Sequence, residues 1–256
     1  MFAEERKQLI IDLLNTKQKL SVQELCVKFS ASPGTIRNDL QELENRNLLK
    51  RTHGGAISPN RICFEHNADE KDILHFVEKQ SIARAALHLI DDGDTVAIDA
   101  GTTTMELAKL LGSKKNLMVV TNDLKIALEL ESAENVTVIM VGGTVRRNFH
   151  CTIGPQAIQF LADIRVDKTF AAANGISLNA GVTTPNIDTS DIKRDFIRMS
   201  NETILLCDSS KIGRISFKRF AELSEIKTIV TDTHITLKQK QDLIEQRIEV
   251  VIENEK

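Results

Sequence analysis

The sequence has no tryptophan and no tyrosine; its aromatic residues are ten phenylalanines. Stacking platforms for unpaired bases or sugar rings are therefore poorly provided for. Cysteine is scarce, and Cys26, Cys63, Cys151 and Cys207 form no C-x-x-C pair. Their spacing fits neither a zinc site nor a disulfide framework, so they read as separate reduced thiols. The six histidines are scattered without an H-x-x-x-H pair, and no metal site is expected. No stretch approaches the ~20 apolar residues of a membrane helix, and no apolar signal segment follows Met1. A soluble cytoplasmic protein without a membrane partner is the expectation. An excess of positive charge is also missing: 33 Lys and Arg stand against 36 Asp and Glu, a net charge of −3. The bulk charge alone does not mark a nucleic-acid binder.

The 256 residues, 41% hydrophobic and 27% charged, have a globular balance and allow one large or two modest domains. Charge divides unevenly along them. Residues 1–58 carry nine Lys/Arg and seven Asp/Glu, whereas the remainder carries 24 and 29. That sign suits a DNA-facing N-terminal piece.

Within residues 1–58, Leu9, Ile10, Leu13 and Leu14 share a helical face. Ser21 and Glu24 are spaced as a capping box ahead of Val22, Leu25, Cys26 and Phe29. After Ser30-Ala31, Ser32-Pro33 reads as an N-cap with proline at the first helical position, and Ile36, Leu40 and Leu43 form the next stripe. This is a helix-turn-helix pattern. Opposite that stripe stand Thr35, Arg37, Asn38 and Gln41, which can donate to base edges. Residues 48–57 are short, basic and contain Gly54-Gly55, which suits a β-hairpin wing with Lys50, Arg51 and His53 near phosphates. A plain three-helix module with a solvated polar face would share the caps. The ordered conjunction of two capped helices and a basic hairpin favours DNA. Asp39, Glu42 and Glu44 dilute the positive field and are expected to face away from the duplex.

Val22-Gln23-Glu24-Leu25, Ser32 through Leu40, Leu43-Glu44 and Arg51 through Ala56 resemble the N-terminal signature of the DeoR family of bacterial transcriptional regulators. That family usually has a second arginine where this chain has Asn38. The resemblance implies a winged helix-turn-helix in which Ser32, Thr35, Arg37, Asn38, Gln41, Lys50, Arg51 and His53 face double-stranded operator DNA.

Residues 59–76 lack a sustained period and read as a linker, so the expected domains are 1–58, a linker, and 77–256. In the last, seven β-rich runs (95–99, 117–121, 136–141, 168–172, 204–208, 228–232 and 248–252) alternate with amphipathic stretches. The fold class expected is α/β: the winged head followed by a Rossmann-like parallel sheet covered by helices. Ligands of such sheets bind at the carboxyl ends of the strands. Polar and glycine residues gather there: Asp99 to Thr104, Thr121-Asn122-Asp123, Gly142-Gly143, Asn174-Gly175 and Asp208 to Lys211. Gly101, Thr102, Thr103 and Thr104 open a helix whose free N–H groups and dipole suit a phosphate. The same residues serve equally as plain capping, Thr103 with Glu106. They form neither a Walker loop nor a dinucleotide fingerprint. Arg146, Arg147, Lys193, Arg194, Lys211 and Arg214 are further cations within the same domain.

The strand-end clusters, with Arg146, Gly154-Pro155, Lys193-Arg194 and Thr231-Asp232, resemble the DeoR-family sensor domain, which is similar in fold to ribose-5-phosphate isomerase. The resemblance implies a phosphorylated sugar as effector. Gly101 to Thr104 would hold phosphate, and Asp99, Asn122, Gly143, Asn174, Lys193, Asp208 and Lys211 would line the rest. The function so implied is a repressor of a carbohydrate operon, a homo-oligomer (dimer or tetramer) released from DNA by that effector, with no cofactor and no catalytic residue. The alternative is an aldose–ketose isomerase of sugar phosphates. Residues 171–176 carry no carboxylate base, although Asp99, Asp191 and Asp208 leave one open.

Overall fold

Apolar side chains recurring every three or four positions produce three early helices: α1 (Ala3–Lys17), α2 (Val22–Phe29) and α3 (Pro33–Asn45). Ile10, Ile11 and Leu14 of α1 are buried while Leu9 is exposed, so its inner face is rotated from the one expected. Ser21 and Glu24 form the reciprocal capping box of α2, and Ser30 in the left-handed region closes that helix. Ser32 caps α3 by accepting the Thr35 N–H, with Pro33 at the first helical position. Leu25, Ile36, Leu40 and Leu43 fill the space between the helices.

The wing is the hairpin β2 (Lys50–Thr52) and β3 (Gly55–Ile57), joined by His53-Gly54; in chain order the earlier strand β1 (Lys19–Ser21) pairs with the other edge of β3. A side chain at position 55 would collide with the Leu20 carbonyl, which fixes glycine there.

The computed structural model describes residues 2–17, 19–46, 48–57 and 65–253, in two units, Met1–His66 and Asn67–Lys256. Part of the expected linker, residues 59–64, and Cys63 with it, lie outside the described residues. The rest of that stretch is not linker: it contains α4 (Ala68–Ile73), none of whose side chains is buried, and the first residue of α5 (Phe76–Leu87).

The second unit continues with β4 (Thr95–Ile98), α6 (Thr102–Ala108), β5 (Leu117–Thr121), α7 (Leu124–Leu130) and β6 (Val136–Met140). A hairpin, β7 (Thr144–Arg146) and β8 (Cys151–Ile153), precedes α8 (Pro155–Leu161) and β9 (Val166–Ala172). Then come β10 (Gly175–Ser177), β11 (Gly181–Thr184), α9 (Ile187–Arg198), β12 (Ser200–Leu206), β13 (Lys218–Ala221), β14 (Thr228–Thr231), α10 (Leu237–Glu245) and β15 (Glu249–Ile252). Seven strands form one all-parallel sheet in the order β15-β14-β12-β9-β4-β5-β6. Both faces are covered: Val96 and Ile98 pack with α5 and α6, and Ala97 between them packs with α8 and α9. Alternation without polar relief is what a sheet buried on both sides requires.

The chain builds β4, β5 and β6 outward in one direction and β9, β12, β14 and β15 in the other. The reversal lies between β4 and β9, and a crevice opens where strand order reverses. Two small antiparallel sheets, β7-β8 and β10-β11-β13, were not expected from the sequence. Their strands are three or four residues long, too short to establish a period.

Phe170 sits fully buried in the central strand β9. Phe170→Ala should cost about 3–5 kcal/mol of sensor-unit stability, read by chemical denaturation; a loss below 1 kcal/mol would contradict this packing.

Candidate functional site: a reading face and an anion pocket

On α3, Arg37, Asn38 and Gln41 are exposed and Thr35 is half-buried. Lys50 and His53 of the wing are exposed as well. Ser32 is committed to its cap, with its hydroxyl also 2.9 Å from the Thr35 hydroxyl. The Arg51 guanidinium donates to Gln41 Oε1, so these two expected DNA contacts touch each other across the helix–wing boundary. The three acidic residues of α3 are all engaged inside the head. Asp39 is buried against Arg6, Glu42 pairs with Lys7, and Glu44 accepts the Arg51 N–H at 2.8 Å. The face left to solvent is polar and cationic, the composition needed to reach base edges and phosphates.

In the sensor unit, the crevice between β4 and β9 is filled by an ion pair. Lys193 of α9 contacts Asp99 at the end of β4 and donates to the Ala172 carbonyl at 2.9 Å; Asp99 Oδ2 accepts the Ala172 N–H at 3.0 Å. Asp99 and Lys193 are 1% and 3% exposed, so neither is an open ligand contact. Asp99 Oδ1 is buried and accepts no hydrogen bond.

Asn122 is likewise occupied, accepting from the Ala100 N–H at 3.2 Å and donating to the Thr152 carbonyl at 2.9 Å. It ties the loop after β4 to β8. Gly101 is glycine for packing: a Cβ there would stand 2.9 Å from the Ala172 Cβ. At Gly143, with φ +148°, a Cβ would lie 2.6 Å from the Ile153 carbonyl.

Helix α6 begins at Thr102, so the expected Thr103–Glu106 capping box does not form. Glu106 pairs with Lys109 instead, and Thr104 donates to the Gly101 carbonyl at 2.8 Å. Asp123 receives the N–H groups of Ile126, Lys125 and Gly101, yet burial pushes it up to about 6, with the Asp99 charge adding to the rise. Thr103 and Thr104 are buried, and Thr102 is half-buried.

The end of β12 is built differently. Asp208 caps the turn 209–211 through the Ser210 N–H and approaches Lys211 Nζ at 3.4 Å. Burial would raise its pKa, but the Lys211 ammonium, His75 and the Ser210 hydroxyl hold it well below the usual carboxylate range. Asn174 at the end of β9 is half-buried and accepts from the Thr184 hydroxyl at 3.2 Å.

Facing Asp208 is a residue the sequence reading missed. Lys79 of α5 is 4% exposed and donates to the Lys71 carbonyl. Burial, and then the positive charge of Lys211, bring it down from 10.5 to about 8. A signal was available: Lys79 lies in register with Ile82, Ala83 and Ala86, a lysine inside an apolar stripe. Lys79 feels the positive charges of Lys211 and Lys71 and the opposing negative charges of Asp208 and Asp72, while Lys211 and His75 act on Asp208.

The DeoR-like helix-turn-helix domain family matches residues 6–61, and the DeoR C terminal sensor domain family matches residues 74–233. The chain belongs to the DeoR family. As a member, it is a DNA-binding regulator of transcription, and its relatives are named as such. It is 34% identical over 251 residues to the HTH-type transcriptional regulator GlpR of Haloferax volcanii, covering 98% of both chains. The transcriptional repressor AccR of Agrobacterium fabrum is 34% identical over 90% of each chain, and the putative aga operon transcriptional repressor of Escherichia coli O157:H7 is 33% identical over 98% of this chain and 94% of that one. A ribose 5-phosphate isomerase from Methanocaldococcus jannaschii aligns over 54% of this chain and 55% of that one, at 15% identity and a TM-score of 0.40. That likeness decides nothing about chemistry.

The carboxylates that kept an isomerase open in this DeoR-family chain are poorly suited to be bases. Asp99 is locked to Lys193, Asp208 is held strongly acidic, and Asp191 lies 3.6 Å from Arg194. No helix among the described residues is long and apolar enough to cross a membrane.

Because Lys79 titrates near 8 when folded and near 10.5 when unfolded, the unfolded chain binds more protons between those values. Stability should rise with pH across that window, and Lys79→Met should flatten the rise. Denaturation curves at pH 8 and pH 10 check this; identical pH slopes in both proteins would contradict the placement of Lys79.

Proposed function

We propose that this chain is a repressor whose sensor unit takes a phosphorylated sugar at the carboxyl ends of the central strands, and that binding weakens its hold on operator DNA. The observation that carries the reading is the buried ammonium of Lys79 beside Lys211 and Asp208. A phosphate dianion would add counter-charge for Lys79, Lys211 and Lys71 to that of Asp208 and Asp72. Half-buried Asn174 and the Ser209-Ser210 turn, close to the same strand ends, offer neutral donors and acceptors of the kind a polyol needs. Thr102 flanks the crevice from the β4 side and stays within the proposed pocket, whereas Asp99, Gly101, Thr103, Thr104, Asn122, Gly143 and Lys193 shape it from beneath.

Two reading heads are needed for half-sites about one helical turn (~34 Å) apart, so the working form is a homo-oligomer. The effector acts by preferring one arrangement of that oligomer over another. No catalytic residue, cofactor or metal is part of this reading.

A panel of sugar phosphates in a thermal-unfolding assay tests the pocket. At 100 times its dissociation constant the true effector should add ~2.7 kcal/mol to stability. Lys211→Ala should abolish the shift, and affinity should fall as pH rises through about 8, where Lys79 loses its proton. A full shift in the Lys211 variant would remove the pocket from this site.

Arg37→Ala should weaken operator binding by about 1–3 kcal/mol while leaving the unfolding midpoint nearly unchanged, because the side chain is exposed. Unchanged operator affinity would place DNA on another face.

A further inference from the structure

We propose that Arg6 and Asp39 are a positioning pair that sets the roll of α3 about its own axis, and so decides which side chains meet base edges. The proposal rests on α3 as the reading helix and adds what aims it. Arg6 Nε lies 2.6 Å from Asp39 Oδ2, and Arg6 Nη2 lies 3.1 Å from Oδ1, a two-pronged fork from α1 to α3. The two side chains are only 12% and 6% exposed. Paired planar groups fix direction as well as distance, which a single point contact does not.

The helical wheel shows why direction matters. At about 100° per residue, Ile36, Leu40 and Leu43 lie on one arc, Asn38 and Gln41 lie opposite, and Arg37 lies between them, next to Glu44. Asp39 stands at one border of the apolar arc. Glu44 stands at the other border and accepts the Arg51 N–H of the wing at 2.8 Å. The helix is therefore fastened on both flanks, on one side to α1 and on the other to the wing. Apolar packing alone tolerates some roll, since Leu and Ile contacts are not directional. A roll of about 20° moves side-chain tips by about 2 Å at a radius of 5–6 Å. Hydrogen bonds to bases do not survive such a shift, whereas contacts of flexible side chains with phosphates do.

Loss of this pair should thus reduce discrimination between sequences while sparing non-specific affinity. The probes are the tightest duplex selected by the wild-type chain from a random pool and a shuffled duplex of equal length and composition. Arg6→Lys keeps the charge and removes the fork. It should lower the selected-to-shuffled affinity ratio by about tenfold, with the shuffled-duplex affinity and its salt dependence unchanged. Asp39→Asn should do the same or more, and the exchange of both residues, Arg6→Asp with Asp39→Arg, should recover much of the ratio. If Asp39→Asn fails to fold, because it strands a buried guanidinium, Arg6→Lys and the exchange decide. An unchanged ratio in Arg6→Lys, or a parallel fall on both duplexes, overturns the proposal. Failure of the wild-type chain itself to prefer any duplex would instead overturn α3 as the reading helix.

Discussion

Seven strands running the same way impose a constraint on everything around them. Each crossover must return to the start of the next strand, so every strand-to-helix loop emerges at one edge of the sheet. Asp99, Asn122, Asn174 and Asp208 come from positions up to 109 residues apart, and they share that edge only because β4, β5, β9 and β12 are parallel. The Lys193–Asp99 pair then closes the middle of the edge, where strand order reverses. A second group of charges stands toward the end of β12 and the start of α5, where Lys211 approaches Asp208 and its charge acts on the buried Lys79.

The same economy of charge operates in the head. A reading helix with three carboxylates and one arginine is an unpromising DNA ligand by composition. Two carboxylates pair with cations inside the domain, Asp39 with Arg6 and Glu42 with Lys7, and Glu44 accepts the Arg51 N–H. The electrostatic face presented outward is therefore not the face that a count of charges describes.

The large sheet was legible in the sequence because its seven strands are largely apolar runs of four to seven residues, most of them separated by α-helices. Each observed strand overlaps an expected run, though β9 and β12 begin two and four residues earlier than expected and β12 ends at Leu206. The expected sensor residues gather at one edge of the sheet, and several of them are occupied within the protein. The strand-end glycine Gly101 suits an anion by its position, yet a Cβ there would stand 2.9 Å from the Ala172 Cβ. Lys193 counts as a cation of the domain, and it is spent on Asp99. Spacing along a helix can show that a lysine points inward with Ile192 and Phe196. It cannot show which carboxylate, 94 residues earlier, waits for it. Lys79 is the converse case, a charged residue in register with the buried Ile82, Ala83 and Ala86.

Helix α4 buries none of its side chains. It is held by its Asn67–Glu70 capping box, by exposed pairs from Asp69 and Asp72 to Lys125, and by the Lys79 bond to the Lys71 carbonyl. Melting it uncovers almost no apolar surface, so its opening free energy belongs at the low end of the molecule's range. Six residues span about 9 Å as helix and about 20 Å when extended. The entrance to the sensor unit thus holds a coil of spare contour, released or taken up without disturbing a single strand.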